Sequence, residues 1–322
     1  MSLFVLSTIT PRSRTVPFNV CLAGFFFLAL ITTILYPTAL ARVALYNIFV
    51  GLVAIKAVAE NFDMDTRALG KALFIFLALS NVYVLMQHFG MDPWQDFNGG
   101  EIAGFSGRPW VMGCTAAIVL PYVLRLSPWL ALWALPLLWL SHSSSIMAAG
   151  FLGILIYYFS GTQLLCAMSG LVPILALYSL YDRTPIDPHR IQVWVSAFKF
   201  FHAPLFGHGI GSWISFSFVH KNGADWYQWL WAHNEYLQHA FEQGILGLLL
   251  VIGVLGFFFT SAVTKESKAA LTVIAVLAAF HPVLHWPKLL LLIITVLAIA
   301  AAEWHHNHKG VSNARYRYRN AD

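Results

Sequence analysis

Long apolar blocks separated by short polar segments run through most of the chain. Two of them, Val20 to Tyr36 and Leu69 to Leu85, approach the roughly 20 residues that a helix needs to cross the core of a bilayer. The same criterion gives about ten candidate spans, which lie near residues 20–36, 40–59, 69–88, 109–125, 128–141, 146–160, 163–181, 244–262, 269–286 and 288–304. Segment 128–141 is short, so it is either a span or half of a bent pair. The pattern predicts an all-α, polytopic integral membrane protein.

The composition excludes a cytosolic enzyme. Of the 322 residues, 59% are hydrophobic and 10% are charged, whereas an average soluble domain has about 45–50% and 25%. A soluble fold of this size would lack the charged residues that cover its surface. The net charge is +5, but the basic residues are scattered among spans or lie at the chain ends. That distribution favours a role in membrane orientation over nucleic-acid binding.

The cysteines and the histidines of the tail are the first candidates for a metal site. Cys21, Cys114 and Cys166 fall inside apolar blocks, so the sequence predicts neither a disulfide framework nor a metal cluster. The tail from residue 305 combines histidines with arginines. This pattern favours a basic end near anionic lipid over a metal site, because a frayed tail lacks fixed geometry.

The distribution of Lys and Arg predicts that both termini are cytoplasmic. With about ten spans, this orientation places the long segment 182–243 outside the cytoplasm. The predicted division is into membrane helices 1 to 7 (residues 1–181), an extracytoplasmic loop with interfacial helices (182–243), membrane helices 8 to 10 (244–304) and a cytoplasmic basic tail (305–322).

The extracytoplasmic loop contains a predicted amphipathic helix. Asp187 followed by Pro188 is typical of a cap and a first helical turn, and Pro204 ends the run. Arg190 lies at the edge of the apolar face of this helix. Its guanidinium either reaches out to lipid phosphate or points into a cavity of the protein and holds an anion.

Two further segments of the loop are candidates for chemistry. Gly209 and Gly211 belong to a glycine-rich segment at residues 204–211, whose N–H groups either cradle phosphate or simply form a turn. His233 precedes a span and, on a helix, would share a face with Tyr236 and Leu237. It is either a hydrogen-bonded histidine at the membrane interface or a general base, since an imidazole is mostly neutral at pH 7.

These residues together resemble a known family. Arg190, Trp194, segment 204–211, the His233-Asn234-Glu235-Tyr236-Leu237-Gln238 run and the Gly244-Ile245-Leu246-Gly247 run occur in the order and spacing of the O-antigen ligase and polymerase family of bacterial envelope proteins. The resemblance implies a C-type glycosyltransferase in the bacterial inner membrane, with its active site on the periplasmic side. Such an enzyme transfers a glycan from a polyprenyl-diphosphate carrier to a hydroxyl of a glycan, lipid or protein acceptor, with no metal or other cofactor.

The resemblance also implies roles for individual residues. His233 matches the catalytic histidine, which deprotonates or orients the acceptor hydroxyl, and Arg190 matches the arginine that binds the diphosphate. Asn234 and Glu235 adjoin the histidine and are candidate supporting residues, together with Gly209 and Gly211. Ligase and polymerase activities are not distinguished by these residues.

One part of the family pattern is missing. The family has an arginine after a serine in the preceding span, where this chain reads Leu140-Ser141-His142-Ser143-Ser144-Ser145. Either Arg108 or His142 replaces the missing cation, or the diphosphate binds differently or not at all. Arg108 is the better candidate, because a guanidinium can grip phosphate with two hydrogen bonds.

Rival functions have less support in the sequence. The Asp63-Met64-Asp65 motif resembles a metal-binding pair of sugar-nucleotide transferases, but flanking basic residues favour a solvated loop on the cytoplasmic side. A solute or ion transporter would need ionisable residues in its spans. The apolar pattern places the basic residues Arg42 and Lys56 within or near the second span, but it places no carboxylate inside a span. A non-catalytic role in envelope assembly is a third alternative.

Overall fold

The computed structural model describes residues 16–36, 45–46, 48–53, 55–56, 66–91, 108–160, 163, 188–199, 201–202, 205–219 and 231–308. Within these ranges the protein is all-helical. The helices are α1 (Val16–Leu35), α2 (Thr66–His88), α3 (Pro109–Leu124), α4 (Pro128–Ala131), α5 (Leu135–Trp139), α6 (Ser144–Tyr158), α7 (Pro188–Lys199), α8 (Ser212–Val219), α9 (Glu235–Ser261), α10 (Lys265–Ala278) and α11 (Pro287–His308). The Asp63-Met64-Asp65 motif, Arg42, most of the predicted span 163–181 and the tail beyond His308 lie outside the described residues.

The described part of the chain contains three helices that are long and apolar enough to cross a membrane: Arg67–His88, Glu235–Ser261 and Pro287–Trp304. Shorter apolar helices cover Phe26–Leu35, Pro109–Leu124, Pro128–Trp139 and Ser144–Tyr158. This pattern indicates a membrane-embedded protein, because such helices have no polar face to turn toward water.

Three predicted spans differ from the structure, and one of them, 244–262, begins nine residues earlier than predicted, at Glu235. Segment 128–141 is divided into α4, a 3-10 turn over Leu132–Ala134 and α5. Pro128 and Pro136 each stand near the start of a piece, since proline is compatible with the first turn of a helix. The predicted span 269–286 is wrong at its end, because α10 stops at Ala278 and a loop joins it to α11.

The core is formed where α3, α6 and α10 pack against one another. Small residues allow this close approach. A Cβ atom on Gly113 would lie 2.3 Å from Cβ of Ser141, and one on Gly153 would lie 2.7 Å from Cγ2 of Val273. Small residues at helix contacts are typical of membrane proteins, where close packing replaces the hydrophobic effect.

Helices α9, α10 and α11 are joined in sequence and pack against one another. Consecutive helices run in opposite directions, so one end of the group collects the start of α9, the end of α10 and the start of α11. We call this the histidine end, defined by His233, His281 and His285. The opposite end collects the end of α9, the start of α10 and Glu303 of α11, and we call it the glutamate end.

The spanning helices contain carboxylates, contrary to the expectation that the spans contain none: Glu235 begins α9, and two more lie further along the helices. Glu242 belongs to α9 and Glu303 to α11, and both are buried. Glu242 accepts a hydrogen bond from the main-chain N–H of Trp213 at 3.4 Å, and Glu303 accepts one from that of Val263 at 2.7 Å. A carboxylate held by main-chain donors is fixed in place, so these groups serve the fold.

Candidate functional site

His233 lies just before α9. The prediction that it lies on the helix is wrong, because the side chain of Asn234 accepts a hydrogen bond from the N–H of Leu237 at 3.0 Å and caps the helix there. His233 itself has a φ of 53°, in the left-handed region, and His142 (φ 50°) shares this feature within the described residues. A non-glycine residue in this region costs about 1–3 kcal/mol, and such strain clusters at functional sites.

Arg190 points into the protein. Helix α7 begins at Pro188 as predicted, and Nη1 of Arg190 donates to the carbonyl of Phe280 at 3.0 Å. One turn further along α7, Nε1 of Trp194 donates to the carbonyl of Ala232 at 2.8 Å. Of the two orientations open to Arg190, the structure has the inward one. Helix α7 therefore ties the segment before α9 to the loop between α10 and α11.

His281 lies in that loop and is 3% exposed. Its Nε2 lies 2.9 Å from Oγ of Ser145 and 3.3 Å from Oγ of Ser143. The imidazole is stacked on the indole of Trp110, with ring centroids 5.6 Å apart and an angle of 11° between the planes. Ser143 and Ser145 thus bind an imidazole. The sequence analysis missed His281, whose only local signal was a polar gap between apolar blocks.

Burial lowers the pKa of His281 well below the usual 6.5, and the charge of Arg190, together with that of His233 when it is protonated, lowers it further. His281 is therefore neutral at pH 7. The hydrogen bonds from α7 give the geometry: Arg190 binds the carbonyl of Phe280, next to His281, and Trp194, one turn further along, binds the carbonyl of Ala232, next to His233. The structure thus brings together the two residues that the sequence predicted to carry the chemistry, around a third that it did not.

Glu235 supports the loop between α10 and α11. Its side chain is buried, and Oε1 accepts a hydrogen bond from the N–H of Leu284 at 2.7 Å and from Nδ1 of His285 at 3.2 Å. Burial would lower the pKa of His285, but the Glu235 carboxylate outweighs burial and the pKa is raised. These contacts assign Glu235 to His285. Asn234 caps α9, and a supporting role of Asn234 and Glu235 toward His233 stays a prediction.

Arg108 is exposed and immediately precedes α3. Two residues later, Trp110 stacks on His281, so Arg108 lies at the histidine end. His142 occupies the turn before α6, next to Ser143. The binding of diphosphate by Arg108 stays a prediction.

The glycine-rich segment packs against α9. Gly207, Gly209 and Gly211 have φ values of 69°, 98° and 81°. The N–H of His208 donates to the carbonyl of Phe241 at 3.0 Å, and that of Gly209 donates to the carbonyl of Glu242 at 2.8 Å. The N–H of Gly211 binds the Glu242 carboxylate. These hydrogen bonds favour the turn over the phosphate cradle.

Three half-buried tryptophans form an aromatic wall at the histidine end. The ring centroids of Trp110 and Trp286 are 5.3 Å apart, and those of Trp286 and Trp231 are 6.1 Å apart. Both pairs are T-shaped, a preferred geometry for aromatic rings. The wall joins the start of α3, the start of α11 and the segment before α9.

Among the residues that the structure describes, no group of three His, Cys, Asp or Glu side chains is arranged to hold a metal ion. No protein-family model matches the chain, and no curated protein is significantly similar to it.

Proposed function

We propose that this protein is a membrane glycosyltransferase that moves a glycan from a polyprenyl-diphosphate carrier to an acceptor hydroxyl, as an O-antigen ligase or polymerase does. The observation that carries the proposal is that one helix, α7, holds Arg190 against the carbonyl of Phe280 beside His281 and Trp194 against the carbonyl of Ala232 beside His233. The reaction needs a cation beside the leaving diphosphate and a base beside the acceptor, and these two side chains supply both.

In the proposed reaction the acceptor oxygen forms a bond to the anomeric carbon of the glycan. The proton of that hydroxyl goes to His233, and the bond between the anomeric carbon and the diphosphate oxygen breaks. Its electron pair stays on the diphosphate, whose growing negative charge is stabilised by Arg190. A guanidinium suits this role, because it stays charged and can bind two phosphate oxygens at once.

An apolar groove supports a substrate with a hydrocarbon tail. It has a volume of about 470 Å³ and is lined by α9 and α10, among others by Tyr236, Leu255, Phe259, Leu271 and Ala275. Tyr236 lies next to Glu235 at the histidine end. The hydroxyl of Tyr236 donates to the carbonyl of Ala275 at 2.8 Å, so its polar atom is satisfied within the protein. Such a groove suits an isoprenoid chain better than a free sugar.

The experiment is a transfer reaction with the purified full-length protein in a lipid nanodisc. A synthetic polyprenyl-diphosphate glycan is mixed with a lipid A core, a second carrier-linked glycan or a peptide, and the product mass is followed. We expect transfer to one acceptor class, and the same rate with EDTA present. Transfer to none of them by folded protein would contradict the proposal.

Variants then test the residues. Arg190→Ala should reduce transfer by about 100-fold or more, because the leaving charge loses its stabilising cation. Lys199→Ala is the matched control, since Lys199 is an exposed cation in the last turn of the same helix. A transporter or an assembly protein would show no transfer that depends on Arg190. Equal losses in Arg190→Ala and Lys199→Ala would point to a general effect of charge.

A further inference from the structure

The peptide groups before His233 are held from both sides. The carbonyl of Ala232 accepts a hydrogen bond from Trp194 of α7, as described above. The N–H of Ala232 donates to Oε1 of Gln238 at 3.1 Å. Gln238 is 3% exposed and lies on the second turn of α9. The buried Gln238 of α9 and the half-buried Trp194 of α7 therefore fix the residue that precedes His233.

The orientation of the Gln238 amide is set by its surroundings. Its Nε2 lies 3.2 Å from Oε1 of Glu242 and 2.9 Å from Nε2 of His285. The carboxylate needs a donor and the N–H of Ala232 needs an acceptor, so only one of the two amide orientations satisfies both. A reversed amide would place its NH₂ group against the Ala232 N–H and its oxygen against the carboxylate.

This arrangement explains how His233 keeps its left-handed conformation. The φ angle of His233 relates the peptide plane before it, which contains the Ala232 carbonyl, to the plane after it, which leads into the Asn234 cap. Trp194 anchors the plane before His233 through the Ala232 carbonyl, and Gln238 anchors the preceding plane through the Ala232 N–H, so the strain of about 1–3 kcal/mol is not released by rotation at Ala232. Without one anchor, the backbone would relax toward a negative φ and move the imidazole.

We propose that Gln238 is a positioning residue, which fixes the peptide at Ala232 and thereby aims the imidazole of His233. Its importance for catalysis rests on the proposed transferase function, whereas its hold on the backbone does not. Gln238 touches neither donor nor acceptor in this scheme and acts through His233.

The test uses Gln238→Leu, which keeps similar volume and removes the acceptor. Hydrogen–deuterium exchange, resolved to the Ala232 amide by mass spectrometry, should become faster by about 10-fold or more, because the N–H loses its buried partner. In the transfer reaction, kcat should fall by about 10- to 100-fold, since a displacement of about 1 Å has that effect. KM for the carrier should stay within about twofold, because the binding of Arg190 to the Phe280 loop is not altered.

Gln243→Leu is the matched control, because Gln243 is the next buried glutamine of α9. It should leave both exchange at Ala232 and kcat near the wild-type values. A second test exchanges the amide of Gln238 and the carboxylate of Glu242. Gln238→Glu alone places two carboxylates side by side and should lower kcat. When Gln238→Glu is combined with Glu242→Gln, the new carboxylate at 238 again accepts from the N–H of Ala232, and the new amide at 242 donates to that carboxylate. Recovery of kcat in the double variant would support positioning by hydrogen bonds, and this variant also serves if Gln238→Leu does not fold.

Unchanged exchange at Ala232 in folded Gln238→Leu, or a lower kcat without faster exchange, would overturn the inference. If the wild-type protein transfers no glycan, the proposed function fails, but exchange at Ala232 still decides whether Gln238 holds this peptide.

Discussion

Different polar contacts join the helices at the two ends of the α9, α10 and α11 group. At the glutamate end, the Glu303 carboxylate accepts hydrogen bonds from the N–H groups of Val263 (2.7 Å) and Thr264 (3.0 Å). It also accepts from the hydroxyls of Thr264 and Ser267, each at 2.7 Å. Thr264 in turn caps α10. One buried carboxylate thus binds the turn between two helices and the start of the second helix.

The histidine end has more polar side chains and a less regular backbone. His233 adopts a left-handed conformation, and Gly244 interrupts α9 with a φ of 72°. Arg190, His233 and the tryptophan wall are only half-buried. An end built only for stability has no need of strained backbone around partly exposed ionisable groups. From this contrast we infer that the glutamate end stabilises the fold and that the proposed site lies at the histidine end.

The largest expected effect is that of a substitution at His233, which should lower the transfer rate but raise the free energy of unfolding. His233→Gly should reduce transfer by about 10²- to 10⁴-fold, the usual contribution of a general base. The same variant should raise the free energy of unfolding by about 1 kcal/mol, because glycine adopts a positive φ without strain. Transfer rates and thermal unfolding in detergent would check this. A variant that is both active and less stable would contradict the assignment of His233.

The opposite pattern is expected at Glu303. Glu303→Ala leaves buried N–H and hydroxyl groups without their acceptor and should lower the free energy of unfolding by about 2–4 kcal/mol. The transfer rate per folded molecule should stay within about twofold. Glu303→Gln, which keeps one oxygen, should be intermediate in stability. The comparison of the two ends would fail if Glu303→Ala folded normally but lost activity.

Gly207 tests the contact between the glycine-rich turn and α9. A Cβ atom at Gly207 would lie 2.4 Å from the carbonyl carbon of Glu242, and its φ is 69°. Gly207→Ala should therefore lower the free energy of unfolding by about 1–3 kcal/mol. Gly253→Ala on α9 is the control, since no atom lies within 4 Å of a Cβ there. We expect it to be neutral or to stabilise by up to about 1 kcal/mol, and an equal loss in both would reject the contact as the cause.

The smallest effect concerns pH at His281. Burial and the charges of Arg190 and His233 lower its pKa in the folded protein, so the unfolded chain binds more protons as the pH falls below about 6.5. The stability that depends on neutral His281 is present above that pH and is lost by up to about 1.4 kcal/mol per pH unit below it. His281→Gln should reduce this loss. Unfolding at pH 7.5 and pH 5 would measure the difference, and equal pH dependence in both proteins would contradict the cause.

Local features of the sequence predicted much of the fold. Apolar blocks indicated α2, α3, α6 and α11 within a few residues, because hydropathy along one helix is a local property. The Asp187-Pro188 pair indicated where α7 begins. The position of His233 before α9 was not predicted, because an apolar stripe continues through it and histidine gives no signal for a left-handed residue. Asn234, a good capping residue, was the available signal.

By itself the sequence determined a helical, apolar chain with a polar segment rich in aromatic residues, and it identified Arg190 and His233 as the pair to consider. Only the tertiary structure decided that both lie near His281, and that Ser145 binds an imidazole from a residue 136 positions away. Hydropathy and capping act between neighbours along the chain, whereas these contacts depend on how α3, α6, α9 and α10 pack. The role of Gln238 is likewise visible only in three dimensions, because the structure decides that its amide meets the Ala232 N–H, Glu242 and the distant His285 at once.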